Sequence, residues 1–167
     1  MSAIISECGR YRYRLERETG VAGPVVAFIG VNPSTADATE DDATIRKMVG
    51  FARRWGYSRI IVGNLFAYRA TDVRELRRAY LDPFETRPLF AIESRYLLDI
   101  IRNADLLVPC WGDRGKIPKV LRDRPSDVLH LLRHPAKPIC HLGLTKRGDP
   151  KHPLMLGYDT QLVEWRA

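Results

Sequence analysis

Cysteine is scarce and poorly placed for chemistry: Cys8, Cys110 and Cys140 lie far apart and form no CxxC pair. That spacing excludes a cysteine-built zinc site or a dithiol redox motif. Cys110 and Cys140 sit in apolar stretches and are expected as buried structural thiols. Histidine is nearly as sparse, and His130, His134 and His141 lack ligand spacing. No metal ion or other cofactor is expected. Long apolar runs are missing too. None approaches the ~20 residues that cross a bilayer. The opening segment MSAIISECGRYRYR has no basic stretch leading into an apolar one. Neither a membrane span nor a secretory leader is expected, and the cytoplasm is the expected location. Repeats, linkers and low-complexity segments are also lacking, so residues 1–167 read as a single domain. The oligomeric state has no signature in the chain.

What is present is an apolar fraction of 45%, enough to bury a core, and a basic surplus. Twenty-seven Lys and Arg face 20 Asp and Glu, a net charge of +7, with arginine far ahead of lysine. The guanidinium fork matches phosphate oxygens, so the surplus points to nucleic acid or a nucleotide as partner. A GC-rich coding sequence and a solvated surface produce the same surplus, and charge alone does not separate the two readings.

Along the chain, residues 10–18 alternate. Tyr11, Tyr13 and Leu15 share one side and Arg12, Arg14 and Glu16 the other, as in a half-buried antiparallel strand at a sheet edge. A continuous apolar run at Val25–Val31 predicts a strand buried on both faces, Arg59–Leu65 and Leu106–Cys110 predict two more buried strands, and Ile139–Leu142 a fourth strand. Between them, Ile45, Met48, Val49, Ala52 and Trp55 recur at helical spacing after a cap at Asp41 or Asp42, and Gly56 ends that helix. Asp72 and Glu75 have capping-box spacing for a short helix. A longer helix is predicted over 86–103, and Ser126 is placed to cap a helix beyond Pro125. The tail from Tyr158 to Trp165 adds an edge strand or packs loosely. The alternation predicts a three-layer α/β/α sandwich with a mostly parallel four-stranded central sheet and an N-terminal antiparallel edge strand.

In open parallel sheets ligands bind beyond the carboxyl ends of the strands. The first buried strand ends in Asn32, Ser34, Thr35 and Asp37, the second in Asn64 and Phe66 with Arg69 and Thr71 beyond, and the third in Trp111. The last is followed by Thr145, Lys146, Lys151 and His152. Several polar clusters at one edge make a site. Singly, each has a plainer role: turn chemistry for Asn-Pro-Ser-Thr, capping for Asp41 and Asp42, core packing for Trp111.

These residues carry a resemblance. The run Gly30-Val31-Asn32-Pro33-Ser34-Thr35-Ala36-Asp37, then Asp41-Asp42-Ala43-Thr44-Ile45-Arg46, is similar to the signature of the bacterial and phage family called domain of unknown function 1643. So are Trp55-Gly56-Tyr57, Asn64-Leu65-Phe66-Ala67-Tyr68-Arg69-Ala70-Thr71, Trp111-Gly112 and Lys151-His152-Pro153-Leu154. More distantly, the layout resembles the uracil-DNA glycosylase superfamily, above all its mismatch-specific branch. Gly30-Val31-Asn32-Pro33 matches a Gly-x-Asn-Pro loop, and Gly63-Asn64-Leu65-Phe66 before Arg69-Ala70-Thr71 matches a strand ending in Thr-Asn-Leu-Val before Arg-x-Thr. His152-Pro153 matches a His-Pro-Ser motif with Leu154 in place of the serine.

The second resemblance implies a glycosylase-like fold and hydrolysis of an N-glycosidic bond. Asn32 would position water, Asn64 would read the base, and His152 would stabilise developing negative charge. Phe28, Phe66 or Trp111 would stack on the base, and Arg69, Lys146 and Lys151 would hold phosphates. Leu154-Met155-Leu156 would supply an apolar wedge. Asp37 is a candidate base or loop brace, and Ser34 and Thr35 are candidate substrate contacts. Asp37, Thr44 and the Asp41-Asp42 pair belong to the first family's pattern and not to the glycosylases, and fold alone does not carry function. The alternatives are a non-catalytic nucleic-acid-binding module and an enzyme on a small phosphorylated metabolite, with Ser34 and Thr35 at a helix start.

Overall fold

The computed structural model describes residues 1–134 and 137–165. Its centre is a mixed five-stranded sheet in the order β1-β2-β4-β3-β5, formed by β1 (Ser2–Ile5), β2 (Arg12–Glu18), β3 (Val25–Gly30), β4 (Arg59–Asn64) and β5 (Leu106–Pro109). The apolar runs form β3, β4 and β5. β3 lies in the middle and runs parallel to both neighbours, as strands buried on two faces do.

The sheet is not mostly parallel with four strands, because β2 pairs antiparallel with both β1 and β4. Nor is β2 the edge strand. That place belongs to β1, whose four residues are too few to display a period of two. The expected strand at 139–142 contracts to β6 (Cys140–His141), which pairs antiparallel with β7 (Val163–Glu164) in a separate two-stranded sheet. A single bridge between Leu107 and Ile139 links it to β5.

A register break in β2 decides where its arginines go. Ile4 pairs with Arg14 but Ile5 pairs with Arg12, so β2 carries an extra residue at Tyr13. Such a bulge reverses the alternation of faces. Arg12 and Arg17, an odd number of residues apart, therefore both reach the loop after β3. Arg12 Nη1 donates to Ala36 O (2.7 Å), and Arg17 Nη2 donates to Asp37 O. Both side chains are buried, at 3% and 2% exposure, where plain alternation places Arg12 on the solvent side.

α1 (Ala43–Arg54) covers one face of the sheet, with Ile45, Met48, Phe51 and Ala52 packed on Val26, Phe28, Ile60 and Val62. α2 (Pro83–Arg102) and α3 (Arg124–Arg133) cover the other, with Leu97, Ile100, Val128 and Leu132 in one cluster with Ala27, Ile29, Ile61 and Leu107. Asp42 caps α1 by accepting from Ile45 N (2.9 Å), while Asp41 pairs with Arg17 at 2.7 Å. Ser126 is not a cap, because α3 begins at Arg124 and Ser126 lies inside its first turn. Asp72 caps a 3₁₀ turn, Val73–Arg78, but Glu75 pairs with Arg78 and closes no capping box. Among the described residues no helix is long and apolar enough to cross a membrane.

The crossovers position the site. The chain leaves β3 toward the α1 face and leaves β4 and β5 toward the α2–α3 face. A crevice opens over the carboxyl end of β3 where these directions diverge.

Candidate functional site

That crevice is a cleft of about 800 Å³. Its floor is the ends of the three parallel strands, Gly30–Asn32, Asn64 and Trp111–Gly112. The first turn of α1 forms one wall, the segment Ala70–Arg74 another, and His152, Leu154 and Met155 the rim.

Asn32 ties two loops together. Its Nδ2 donates to Pro33 O (3.0 Å) and to Ala70 O (2.7 Å), and Ala70 N returns a bond to Pro33 O (2.9 Å). With Nδ2 engaged by two carbonyls, the amide has one orientation, and Oδ1 is its available acceptor. Asn64 enters from β4, buried beneath the cleft. Its Oδ1 abuts Gly30, and its Nδ2 has no hydrogen-bond partner among the described residues. Trp111 is 4% exposed and its Nε1–H is likewise unpartnered. The next residue, Gly112, turns the chain at φ +78°, and its N donates to Pro150 O (2.8 Å), bringing the 150–155 segment over the cleft.

His152 starts a 3₁₀ turn, and its Nδ1 accepts a long bond from Leu154 N (3.4 Å). That arrangement puts the proton on Nε2 in the neutral ring. Burial lowers the His152 pKa from its ordinary value, against the pull of Asp42 and with a smaller push from Lys116. The ring is therefore neutral at pH 7, a donor through Nε2–H.

Of the residues singled out from the sequence, Asn32, Ser34, Asn64, Thr71, Trp111 and His152 line the cleft. Five do not. Phe66 is wholly buried against Tyr80 and Phe90 in the α2-side core, so it has no face for a base. Phe28 is likewise core, beside Trp55. Thr35 is exposed and contributes its carbonyl to Arg69 Nη2 (3.2 Å). Arg69 also holds Gly9 O (3.2 Å), so it clamps backbone. Asp37 braces its own loop: Oδ1 accepts from Thr39 N, Thr39 Oγ1 and Glu40 N. Those donors lower its pKa. Lys151 is exposed and lies along Gly143. Lys146 is exposed outside the cleft.

The cleft also holds residues that sequence reasoning passed over or read as capping alone. Arg12 is the chief one, hidden by the bulge. Asp42 lines the cleft as well as capping α1, and Lys116 and Arg74 stand at its border. Lys116 follows Asp113, whose Oδ1 accepts from Gly115 N (2.6 Å). Behind it the wholly buried Asp149 holds Arg114 by Nε (2.6 Å) and by backbone N (3.0 Å).

A buried polar network holds the segment that follows Asn64. Glu93 on α2, 3% exposed, accepts through Oε1 from Ala67 N (2.8 Å) and from the Tyr80 hydroxyl. Arg124 lies 3.5 Å from Glu93 Oε2, donates to Leu65 O (3.0 Å) and packs over the Phe90 ring. These contacts fix the chain just past Asn64. Burial pushes the Glu93 carboxyl up to about 6, against the pull of Tyr80, Ala67 N–H and Arg124.

Three of the arginines behind the net charge, Arg12, Arg17 and Arg124, are thus interior groups, and Arg14 is ion-paired to Glu16 and Asp99. Composition overstates the basic surface. Among the described residues no cluster of three His, Cys, Asp or Glu side chains is placed to hold a metal ion.

Comparison with known proteins adds one match. A family model described as "Protein of unknown function (DUF1643)" matches residues 12–154. No curated protein and no solved structure matches the chain.

Proposed function

The chain belongs to the DUF1643 family, whose description assigns no activity, and from the cleft itself we propose that it is a nucleobase-directed enzyme that hydrolyses an N-glycosidic bond in nucleic acid. The observation that carries this reading is the pair of buried donors, Asn64 Nδ2 and Trp111 Nε1, left without partners among the described residues, on two residues that line a nucleotide-sized cleft. A buried polar group without a partner costs about 1–3 kcal/mol, so such a pair argues for a ligand that brings acceptors. The carbonyl and ring-nitrogen edge of a base is such a ligand, and base-directed enzymes read a base turned out of the stack by this edge.

The remaining groups fit the chemistry. Asn32 Oδ1, available because Nδ2 is engaged, accepts from a water. That water attacks the sugar C1′ as the bond from C1′ to the base nitrogen breaks. The bonding electrons leave on the base, and the proton from water passes to solvent or to the departing base. His152, a neutral donor through Nε2–H, stabilises the negative charge that grows on the base. Exposed Met155 (89%) and Leu154 (39%) at the rim supply an apolar wedge against neighbouring bases. The similarity to uracil-DNA glycosylases in Gly30–Pro33, Gly63–Thr71 and His152-Pro153 supports the same assignment.

The test is base release. Wild type and Asn64→Ala are incubated with oligonucleotides carrying uracil, hypoxanthine, xanthine or modified pyrimidines, and free base is read by mass spectrometry. Release by wild type that falls about 100-fold or more in Asn64→Ala is expected, the usual scale for losing one aimed donor. No release from any substrate overturns the enzyme reading. Salt-dependent DNA binding without release would make the protein a binding module.

A further inference from the structure

The cleft contains a cation that makes no ion pair among the described residues. Arg12 is 3% exposed, lines the cleft, and makes no ion pair among the described residues. Among the described residues the guanidinium is hydrogen-bonded through Nη1 alone, to Ala36 O, while Nε is buried without a partner. An unpaired interior charge is costly and is retained where something else completes it. Burial depresses the Arg12 pKa to about 10, and Arg69 and Arg17 push it the same way, against the pull of Asp42 and Asp37. The guanidinium is charged at pH 7 even so.

The neighbours are arranged for an anion. The first turn of α1 opens on the same cleft through Ala43 and Thr44, and helix N-termini favour negative charge. Ser34 adds a hydroxyl, and Lys116, whose side chain makes no hydrogen bond or ion pair among the described residues, also lines the cleft. The acids around the cleft are largely engaged: Asp72 by Arg74, Asp113 by Gly115 N and Arg147, and Asp42 Oδ1 by Ile45 N. Arg74 is engaged in turn by Asp72.

We propose that the cleft seats a phosphate group of its ligand, held by the Arg12 guanidinium and the first turn of α1. This deepens the reading above and rests on it only for what is attached to the phosphate. It makes the ligand a nucleotide and not a bare base or nucleoside. The phosphate comes either from a terminal monoester or from a diester within a strand.

Calorimetric titration of the intact chain tests this with inorganic phosphate, the common deoxynucleosides with deoxyuridine, and their 5′-monophosphates. Wild type is compared with Arg12→Lys, which keeps a charge and a donor to Ala36 O but loses the fork, and with Asp42→Asn, which keeps a capping oxygen but removes a carboxylate. Monophosphates bind at least about 10-fold tighter than nucleosides, the equivalent of ~1.4 kcal/mol. Phosphate affinity falls about 10-fold in Arg12→Lys and rises about 3-fold in Asp42→Asn.

Equal affinity for phosphate in wild type and Arg12→Lys overturns the inference, as does absence of phosphate binding by wild type. If Arg12→Lys does not fold, an unchanged phosphate affinity in Asp42→Asn overturns it. Nucleoside binding with no gain from the phosphate defeats this inference and leaves the base reading standing. Phosphate binding without discrimination among bases does the reverse. Comparing 5′-phosphorylated with unphosphorylated oligonucleotides then assigns the source. Preference for the phosphorylated strand means a monoester, and equal binding means an internal diester.

Discussion

Gly30 and Asn64 stand directly opposite each other at the carboxyl ends of β3 and β4, and a Cβ on residue 30 would lie 2.9 Å from Asn64 Oδ1. The glycine leaves the space that the asparagine amide oxygen occupies against β3. Gly30→Ala is expected to displace Asn64. Stability falls by about 1–3 kcal/mol, the usual cost of overpacking. Base release falls about 100-fold, as a misplaced site residue allows. Urea unfolding beside the release assay checks this. Unchanged release with Asn64 displaced removes Asn64 from base reading.

Asn32 is expected to tolerate no carboxylate. Asn32→Asp keeps an oxygen for water but sets its second oxygen against the carbonyls of Pro33 and Ala70, which now receive two N–H bonds. A loss of about 1–3 kcal/mol in unfolding free energy is expected. Retention of full stability with full activity would mean that the tie between the two loops does not matter.

His152 should titrate below its ordinary value of 6.5, because burial disfavours the imidazolium. Its folded pKa being depressed, neutral His152 favours the fold above that ordinary value, and the contribution is lost as pH falls through the folded pKa. Asp42 pulls the other way, so Asp42→Asn should lower the value further. Proton NMR titration of the ring reads both. A rise in Asp42→Asn would show that the two groups do not face each other.

Glu93 gives the opposite sign. Its pKa is raised from 4.5 to about 6, so the fold prefers the protonated form. The stability it contributes is full below 4.5 and is lost as pH rises through about 6. Relative to Glu93→Gln, wild type should be about 2 kcal/mol more stable near pH 4 than near pH 8. Urea unfolding at the two pH values measures the difference. The reverse trend would mean that Arg124 outweighs burial.

Met155 tests the rim. Met155→Ser should leave stability within about 0.5 kcal/mol, since the side chain is 89% exposed. Affinity for duplex DNA should drop several-fold while affinity for nucleoside monophosphates holds. A loss on both ligands would place Met155 in the base pocket and not against the strand.

Much of the scaffold was legible in the chain because it rests on local pattern. The apolar-rich segments form β3, β4 and β5, the helical spacing from Ile45 forms α1, and the rule that ligands sit beyond strand ends points to Asn32, Asn64, Trp111 and His152. The sheet's hand was less legible. β1 is too short for a period to register, and the antiparallel pairing of β2 with β4 depends on a partner about forty residues away.

The sequence by itself determined which residues are buried in runs, where the chain turns and that it belongs to this family, because each depends on neighbours in the chain. Only the tertiary structure decided which polar groups work together. The bulge at Tyr13 turned Arg12 inward to the cleft, the core claimed Phe66, and backbone carbonyls claimed Arg69. An arginine reads the same in a sequence whether it clamps a loop, pairs with an acid or waits for a phosphate. Its partner is chosen by residues that come near only when the sheet has closed.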